Sequence, residues 1–239
     1  MGNLKRDVFI YGKIGSGKDL ISNYLQNKGY GIFRLSGTIK QIIMEKKDLS
    51  FEEIENGKRM DSELRKLHHA IGDYLGNDET TTNRLKALVN RYAMDMYNFR
   101  KDKPIVVNDI RTQNNIMSLF LYLNTDQYDL FRKQHNFDKP AVIFLSRLSE
   151  EHLEKVKNGG YHYTDENCIK FDYFKYYISQ KLITDKFDVY MIFNDNYNVI
   201  NKKEVNQFKE ISDRYSNFHV LENKNLLTDD LQNIMKIIL

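Results

Sequence analysis

The sequence has a single cysteine, no run of about 18 apolar residues and little net charge. Each shortage closes a class of protein. Cys168 alone cannot form an internal disulfide, which fits a reducing compartment, and it reads as a small hydrophobe rather than a catalytic thiol. Without a long apolar run, no membrane-spanning helix and no membrane partner are expected. Residues 1–6, Met-Gly-Asn-Leu-Lys-Arg, lack the apolar core of a secretory signal, so a cytoplasmic location is the expectation. A net charge of +3, with cations scattered along the chain, gives no bulk electrostatic case for nucleic acid. No basic stripe or groove-reading helix stands out either. His68-His69 reads as structural, and no second His/Cys cluster at ligand spacing suggests zinc. Repeats and low-complexity segments are absent as well.

What is present is enough for a normal core: 239 residues, 41% hydrophobic and 29% charged. That length suits one domain over residues 1–239, with a lid or insertion.

The stretch Gly12-Lys13-Ile14-Gly15-Ser16-Gly17-Lys18-Asp19 stands out. It follows the apolar run Val8-Phe9-Ile10-Tyr11 and opens the amphipathic run Leu20-Ile21-Ser22-Asn23-Tyr24-Leu25. That is the strand–loop–helix setting of a phosphate-binding loop. Glycines let consecutive N–H groups turn inward, and the helix adds its free N–H groups and the positive end of its dipole. Gly12, Lys13, Gly15, Ser16, Gly17, Lys18, Asp19 and Leu20 are the candidate nucleotide-binding residues. Lys18 would bridge the terminal phosphates; Lys13 either adds charge there or is solvated. After the lysine stands Asp19, where a hydroxyl normally holds Mg²⁺. A carboxylate can meet magnesium directly or through water, and it also complements a helix N-terminus.

Apolar strands alternate with helical patterns along the chain. Strands are expected at 7–11, 30–35, 105–107, 141–145, 188–193 and 218–221. Helices are expected over 18–27, from Ser36, from Thr82, around 116–123, over 202–213 and from Thr228. Residues 48–60 are charged and weakly periodic, and 124–139 read as a polar, irregular insertion. The alternation predicts an α/β fold, a parallel sheet with helices on both faces. Ligands of such sheets bind at the carboxyl ends of the strands. There the sequence places the loop, Asp109 with Arg111, and Ser146 with Arg147.

Asp109 would be a second magnesium-organising carboxylate, and Arg111 a clamp on an acceptor phosphate. The plainer reading of the pair is a turn with a surface ion pair. Lysines outnumber arginines 25 to 11, so an arginine is a better candidate for its planar fork. Arg34, Arg65 and Arg147 are singled out on that ground, Arg147 for charge on the transferred group. Arg59, Arg84, Arg91, Arg100, Arg132 and Arg214 read as solvated. Residues 148–180, charged and tyrosine-rich around Gly159-Gly160, are the lid candidate. Their aromatic run from Phe171 to Tyr177 resembles a stacking surface but reads better as the packing face of a helix.

These motifs, in this order, resemble bacteriophage deoxynucleoside monophosphate kinases. The loop ending Ser16-Gly17-Lys18-Asp19 carries the likeness most specifically. Leu35-Ser36-Gly37-Thr38-Ile39-Lys40 is similar to the family's Leu-(Ala/Ser)-Gly-x-(Ile/Leu)-Lys segment. Arg65 through Ala70-Ile71-Gly72 resembles its Arg and Ala-Leu-Gly helix, Asp109-Ile110-Arg111 its Asp-Thr-Arg, and His162-Tyr163-Thr164-Asp165 its late His-x-(Ser/Thr)-(Glu/Asp) element. Asn194-Asp195 matches a strand ending in Asn-Asp. The chain departs at Asp73-Tyr74, where the family has Thr-Asp, at Ile110 and at Leu20.

The resemblance implies a P-loop kinase with ATP and Mg²⁺, acting in a host cytoplasm, and a homodimer. It implies phosphoryl transfer to a deoxynucleoside monophosphate. Lys18, Asp109, Arg111 and Arg147 would be catalytic, and Asp19 and Asp109 would organise the metal. Leu35, Lys40, Arg65, Gly72, Asp109, Arg111, His162, Thr164 and Asp165 would contact the acceptor. The helical region at about 36–100 would bind that acceptor. The same loop, Leu-Ser-Gly and Asp-x-Arg elements also resemble animal-type phosphomevalonate kinase. A nucleotide-binding regulatory ATPase is the alternative of a different class.

Overall fold

The sheet follows from six short apolar runs, each able to be buried on both faces. In the computed structural model, which describes residues 5–12, 16–60, 64, 93–100, 103–110, 113–146, 171–193, 202–222 and 228–239, these runs are strands. They are β1 (Val8–Gly12), β2 (Gly31–Phe33), β3 (Ile105–Ile110), β4 (Ala141–Ser146), β5 (Asp188–Phe193) and β6 (Phe218–Glu222). Around them lie α1 (Lys18–Gln26), α2 (Leu35–Lys47), α3 (Phe51–Met60), α4 (93–100), α5 (Gln113–Leu123) and α6 (Asp126–Gln134). The chain closes with α7 (Phe171–Ser179), α8 (Lys202–Ser212) and α9 (Thr228–Ile238). The strands form one six-stranded sheet in the order β2-β3-β1-β4-β5-β6, every pair parallel.

Alternation along β1 sorts the core into two layers. Phe9 and Tyr11 join Val107, Phe144 and Met191 beneath Phe120 of α5, Phe174 of α7 and Phe208 of α8. Val8 and Ile10 join Ile143, Leu145 and Ile192 beneath Ile21 and Leu25 of α1 and Met235 and Ile238 of α9. The fold is therefore α/β, a parallel sheet with helices on both faces, as the alternating pattern leads one to expect. Aromatic rings dominate the first layer. Phe174 lies 4.7 Å from Phe144 and 5.1 Å from Phe208, centroid to centroid, and Phe120 lies 5.2 Å from Phe187. Each fully buried ring of this kind contributes about 1.5–3 kcal/mol.

Phe174 and Tyr177 are 1% exposed, so α7 is part of the core and residues 171–179 do not belong to a lid. The packing-face reading of that aromatic run holds for these two residues. The rest of the lid candidate, 148–170, lies outside the described residues, as does most of the 61–92 stretch.

The stretch read as irregular, 124–139, and the weakly periodic one, 48–60, both contain helices. Residues 124–139 contain α6, whose cap is Thr125: its Oγ1 accepts from the Tyr128 N–H at 3.2 Å. Asp129 pairs with Arg132 at 2.8 Å and Lys133 at 2.7 Å, one turn on. The Lys133 ammonium, then the Arg132 guanidinium, hold the Asp129 carboxyl down at about 2. Tyr128 is the one buried residue of α6, so the helix has a cap and charge pairs but almost no apolar stripe. Within 48–60, α3 starts on a reciprocal cap. Glu53 Oε2 accepts from the Ser50 N–H at 2.7 Å, and Ser50 Oγ accepts from the Glu53 N–H at 3.2 Å.

The amino-terminal ends of the strands are tied by buried charge. Asp7, fully buried, accepts from the Ile105 N–H at 3.0 Å and the Tyr128 hydroxyl at 2.8 Å. Arg100 Nη1 lies 2.7 Å from the same carboxylate, and its guanidinium sits 4.3 Å from the Phe131 ring centre. Arg100 is thus buried, not solvated, because it closes the charge of Asp7 beneath α6. Burial, reinforced by the Asp7 charge, pushes the Tyr128 hydroxyl well above its usual range. Arg132 is likewise half-buried, donating to the Phe137 carbonyl at 3.2 Å. Arg6 joins the ends of the chain: it donates to the Ile238 carbonyl at 2.8 Å and pairs with Asp188. Among the described residues no helix is long and apolar enough to cross a membrane.

Candidate functional site

The sheet order fixes where a ligand can sit. The chain leaves β1 towards β2 on one side and leaves β4 towards β5 on the other, although β1 and β4 are neighbours. Connections that part in this way open a crevice at the carboxyl ends of the two strands. Gly12, the last residue of β1, pairs there with Leu145 of β4.

At that position only glycine fits. A Cβ on Gly12 would lie 2.6 Å from Ser16 Oγ, 3.0 Å from Leu145 Cβ and 3.1 Å from the Leu145 carbonyl oxygen. The loop returns tightly enough to touch the strand it left. Gly12→Ala must therefore push the loop off β4. The expected outcome is a protein with near wild-type melting temperature and at least about tenfold weaker nucleotide binding, checked by fluorescence titration with a labelled ATP. Unchanged binding would show that the close return is incidental.

Gly17 takes the left-handed conformation, φ 94° and ψ 14°, which costs a side-chain-bearing residue about 1–2 kcal/mol. Its carbonyl accepts from the Leu20 N–H at 3.1 Å and the Ile21 N–H at 3.3 Å, which starts α1. Having no side chain, Gly17 leaves the first turn of α1 uncapped, with the positive end of its dipole at the loop. Lys18 is 8% exposed and folds back along the loop, its Nζ 2.5 Å from the Gly12 carbonyl oxygen. Ser16 Oγ is buried and has no hydrogen-bond partner among the described residues. A buried hydroxyl with no partner among the described residues can donate to an acceptor brought to it. Together these groups present a hydroxyl donor, an ammonium and a helix N-terminus around one tight turn. That set suits phosphate oxygens.

The carboxylates come from two directions. Asp19, exposed in the first turn of α1, accepts from the Asn108 amide Nδ2 at 3.1 Å. Asp109 accepts from the Ser36 N–H, in the first turn of α2, at 2.8 Å. The adjacent residues Asn108 and Asp109 thus hold different helices. A bulge makes room for this: Phe9 pairs with Val107, but Tyr11 pairs with Ile110, so β3 carries one residue more than β1 across the interval. Asp109 gains a structural task that the sequence did not suggest, since α2 has no side-chain cap of its own.

Other sequence-derived candidates fall as follows. Leu35 opens α2. Lys40 is half-buried on α2, its ammonium 4.7 Å from the Phe51 ring centre. Leu20 is exposed on α1. Lys13, Gly15, Arg65, Gly72, Arg111, Arg147, His162, Thr164 and Asp165 lie outside the described residues. No group of three or more His, Cys, Asp or Glu among the described residues could hold a metal ion by itself. A magnesium ion needs less, because it commonly takes one or two carboxylates and completes its shell with water and substrate phosphates. Asp19 and Asp109 fit that pattern. The residue that sequence reasoning passed over is Asn108. Its place beside Asp109 at the end of a core strand was the available signal.

No protein-family model and no curated protein matches the chain. Among solved structures, the crystal structure of TT1252 from Thermus thermophilus is similar to it, with 18% sequence identity and a TM-score of 0.37. The alignment covers 99% of this chain and 97% of that one.

Proposed function

We propose that the protein is a kinase that moves the γ-phosphoryl group of ATP onto the phosphate of a deoxynucleoside 5′-monophosphate, with Mg²⁺. The observation that carries this reading is the loop at the β1/β4 crevice, with a buried Ser16 hydroxyl that has no partner among the described residues and the Lys18 ammonium turned inward. The choice of a deoxynucleotide as acceptor rests on the motif resemblance.

Transfer requires little covalent chemistry from the protein. An acceptor phosphate oxygen bonds to the γ-phosphorus as the bond to the β,γ-bridging oxygen breaks, and ADP leaves with that electron pair. What the chain must do is position and neutralise. Ser16, Lys18 and the N-terminus of α1 hold the donor phosphates. Asp19 and Asp109 would hold Mg²⁺, which would neutralise charge on those phosphates. Asp109 also fixes the start of α2, and so the approach of Lys40, an acceptor-side cation in this reading. Arg65 and Arg111 are assigned to the acceptor phosphate and Arg147 to the transferred group.

A coupled assay with ATP and a panel of nucleoside and deoxynucleoside monophosphates tests the reading, with phosphomevalonate as a further acceptor. ADP release that depends on a deoxynucleotide supports it. Release with phosphomevalonate alone moves the acceptor out of the nucleotides, and release without any acceptor points to a regulatory ATPase.

A further inference from the structure

Asn108 is buried, 5% exposed, at the bulged end of a core strand, yet its amide is directed at Asp19, a carboxylate already exposed to water. The bond satisfies the buried Asn108 amide, but Asp19 itself has no need of it. An acid in a first helical turn complements the dipole in any rotamer, and water satisfies an exposed carboxylate without help. What the bond does achieve is to fix the direction of a short side chain at the mouth of the phosphate loop. The bulge adds to the case, because a bulge at a strand end re-aims side chains, and here it lets Asn108 serve α1 while Asp109 serves α2.

We propose that Asn108 is a positioning residue for the divalent cation: its Nδ2–H aims the Asp19 carboxylate at the metal that accompanies the donor phosphates. This rests on the reading of the loop as a nucleotide site. Partners of this kind, one bond removed from the metal, typically change metal affinity about 10–100-fold when removed. Aspartate reaches further than the usual serine or threonine and has more rotamers to lose, so it has more need of a fixed partner.

The test is nucleotide binding rather than turnover. The full chain is titrated with a fluorescent ATP analogue at increasing MgCl₂ and in EDTA. In Asn108→Leu, which keeps the branched outline and removes the donor, the Mg²⁺ concentration for half-maximal effect should rise about tenfold or more while binding in EDTA is unchanged. Asp19→Asn should also raise the Mg²⁺ requirement, whatever it does to binding in EDTA, and adding Asn108→Leu to it should raise that requirement no further. Asn108→Ser, whose hydroxyl is too short to reach Asp19, should show the same rise and serves if the leucine variant does not fold. An unchanged Mg²⁺ dependence overturns the proposal, as does an equal loss with and without Mg²⁺, which would mean a structural role. If the wild-type chain binds no nucleotide at all, the loop reading itself fails and the proposal with it, a result that the variants cannot produce.

Discussion

Lys18→Ala is expected to lower phosphoryl transfer by at least about 10²-fold, with the folded state retained. The ammonium is nearly buried and lies 2.5 Å from the Gly12 carbonyl oxygen, so it is held within the loop rather than waving in solvent. A cation fixed in that way is worth most where charge develops, because it need not reorganise when the phosphoryl group moves. Its removal leaves one strand-end carbonyl to find water and relieves a buried charge, so the cost to stability should stay within about 1.5–3 kcal/mol. Lys18→Arg should not rescue, because the planar fork cannot replace a compact ammonium in a turn this tight. Rates with ATP and the best acceptor, beside a thermal melt, check both halves. Full activity in Lys18→Ala would contradict the assigned role.

The second large effect lies at the opposite ends of the strands. Asp7→Ala should destabilise the protein by about 3–5 kcal/mol, lowering the melting temperature on the order of 10 °C. The carboxylate is fully buried and satisfies three groups at once: the Ile105 N–H, the Tyr128 hydroxyl and Arg100. Its loss strands a buried guanidinium and two further donors. Arg100→Met should cost less, because Asp7 keeps two of its three partners. The paired change Asp7→Leu with Arg100→Met should recover part of the loss, since no charge is then left uncompensated. Recovery should be incomplete, because the Ile105 N–H and Tyr128 hydroxyl remain without their acceptor. Urea unfolding of the four proteins orders them; a cost below about 1 kcal/mol for Asp7→Ala would show that the network is not a fixture of the fold.

The contrast between these two regions explains what could be read from the sequence. The strands were legible because parallel strands are buried on both faces and appear as unbroken apolar runs such as Ala141 to Leu145. The tight return after β1 was legible because its glycines stand where the backbone needs them, Gly17 in the left-handed region and Gly12 with no room for a Cβ. Asp7 and Arg100 were not legible, because 93 residues separate them in sequence and each looks like an ordinary surface charge until the fold brings them together. Helix α6 escaped for a different reason: with only Tyr128 buried it has no apolar period to find, although Thr125 and the Asp129 pairs were signals of a capped helix. The Ser50–Glu53 box was a missed local signal of the same kind. Asp109 was singled out by its place near a strand end, but its bond to Ser36, and the bulge in which it and Asn108 lie, depend on strand register, which a single sequence does not carry.

In the proposed reaction the Gly12–Lys18 turn serves phosphoryl transfer to a deoxynucleoside monophosphate. It is tested most directly by following the label from ATP marked at the γ-phosphorus, with Mg²⁺ and each deoxynucleoside monophosphate in turn. Label is expected in a deoxynucleoside diphosphate for at least one base, and none with the Lys18→Ala variant. Absence of labelled diphosphate from every deoxynucleoside monophosphate, with protein that binds ATP, would contradict it.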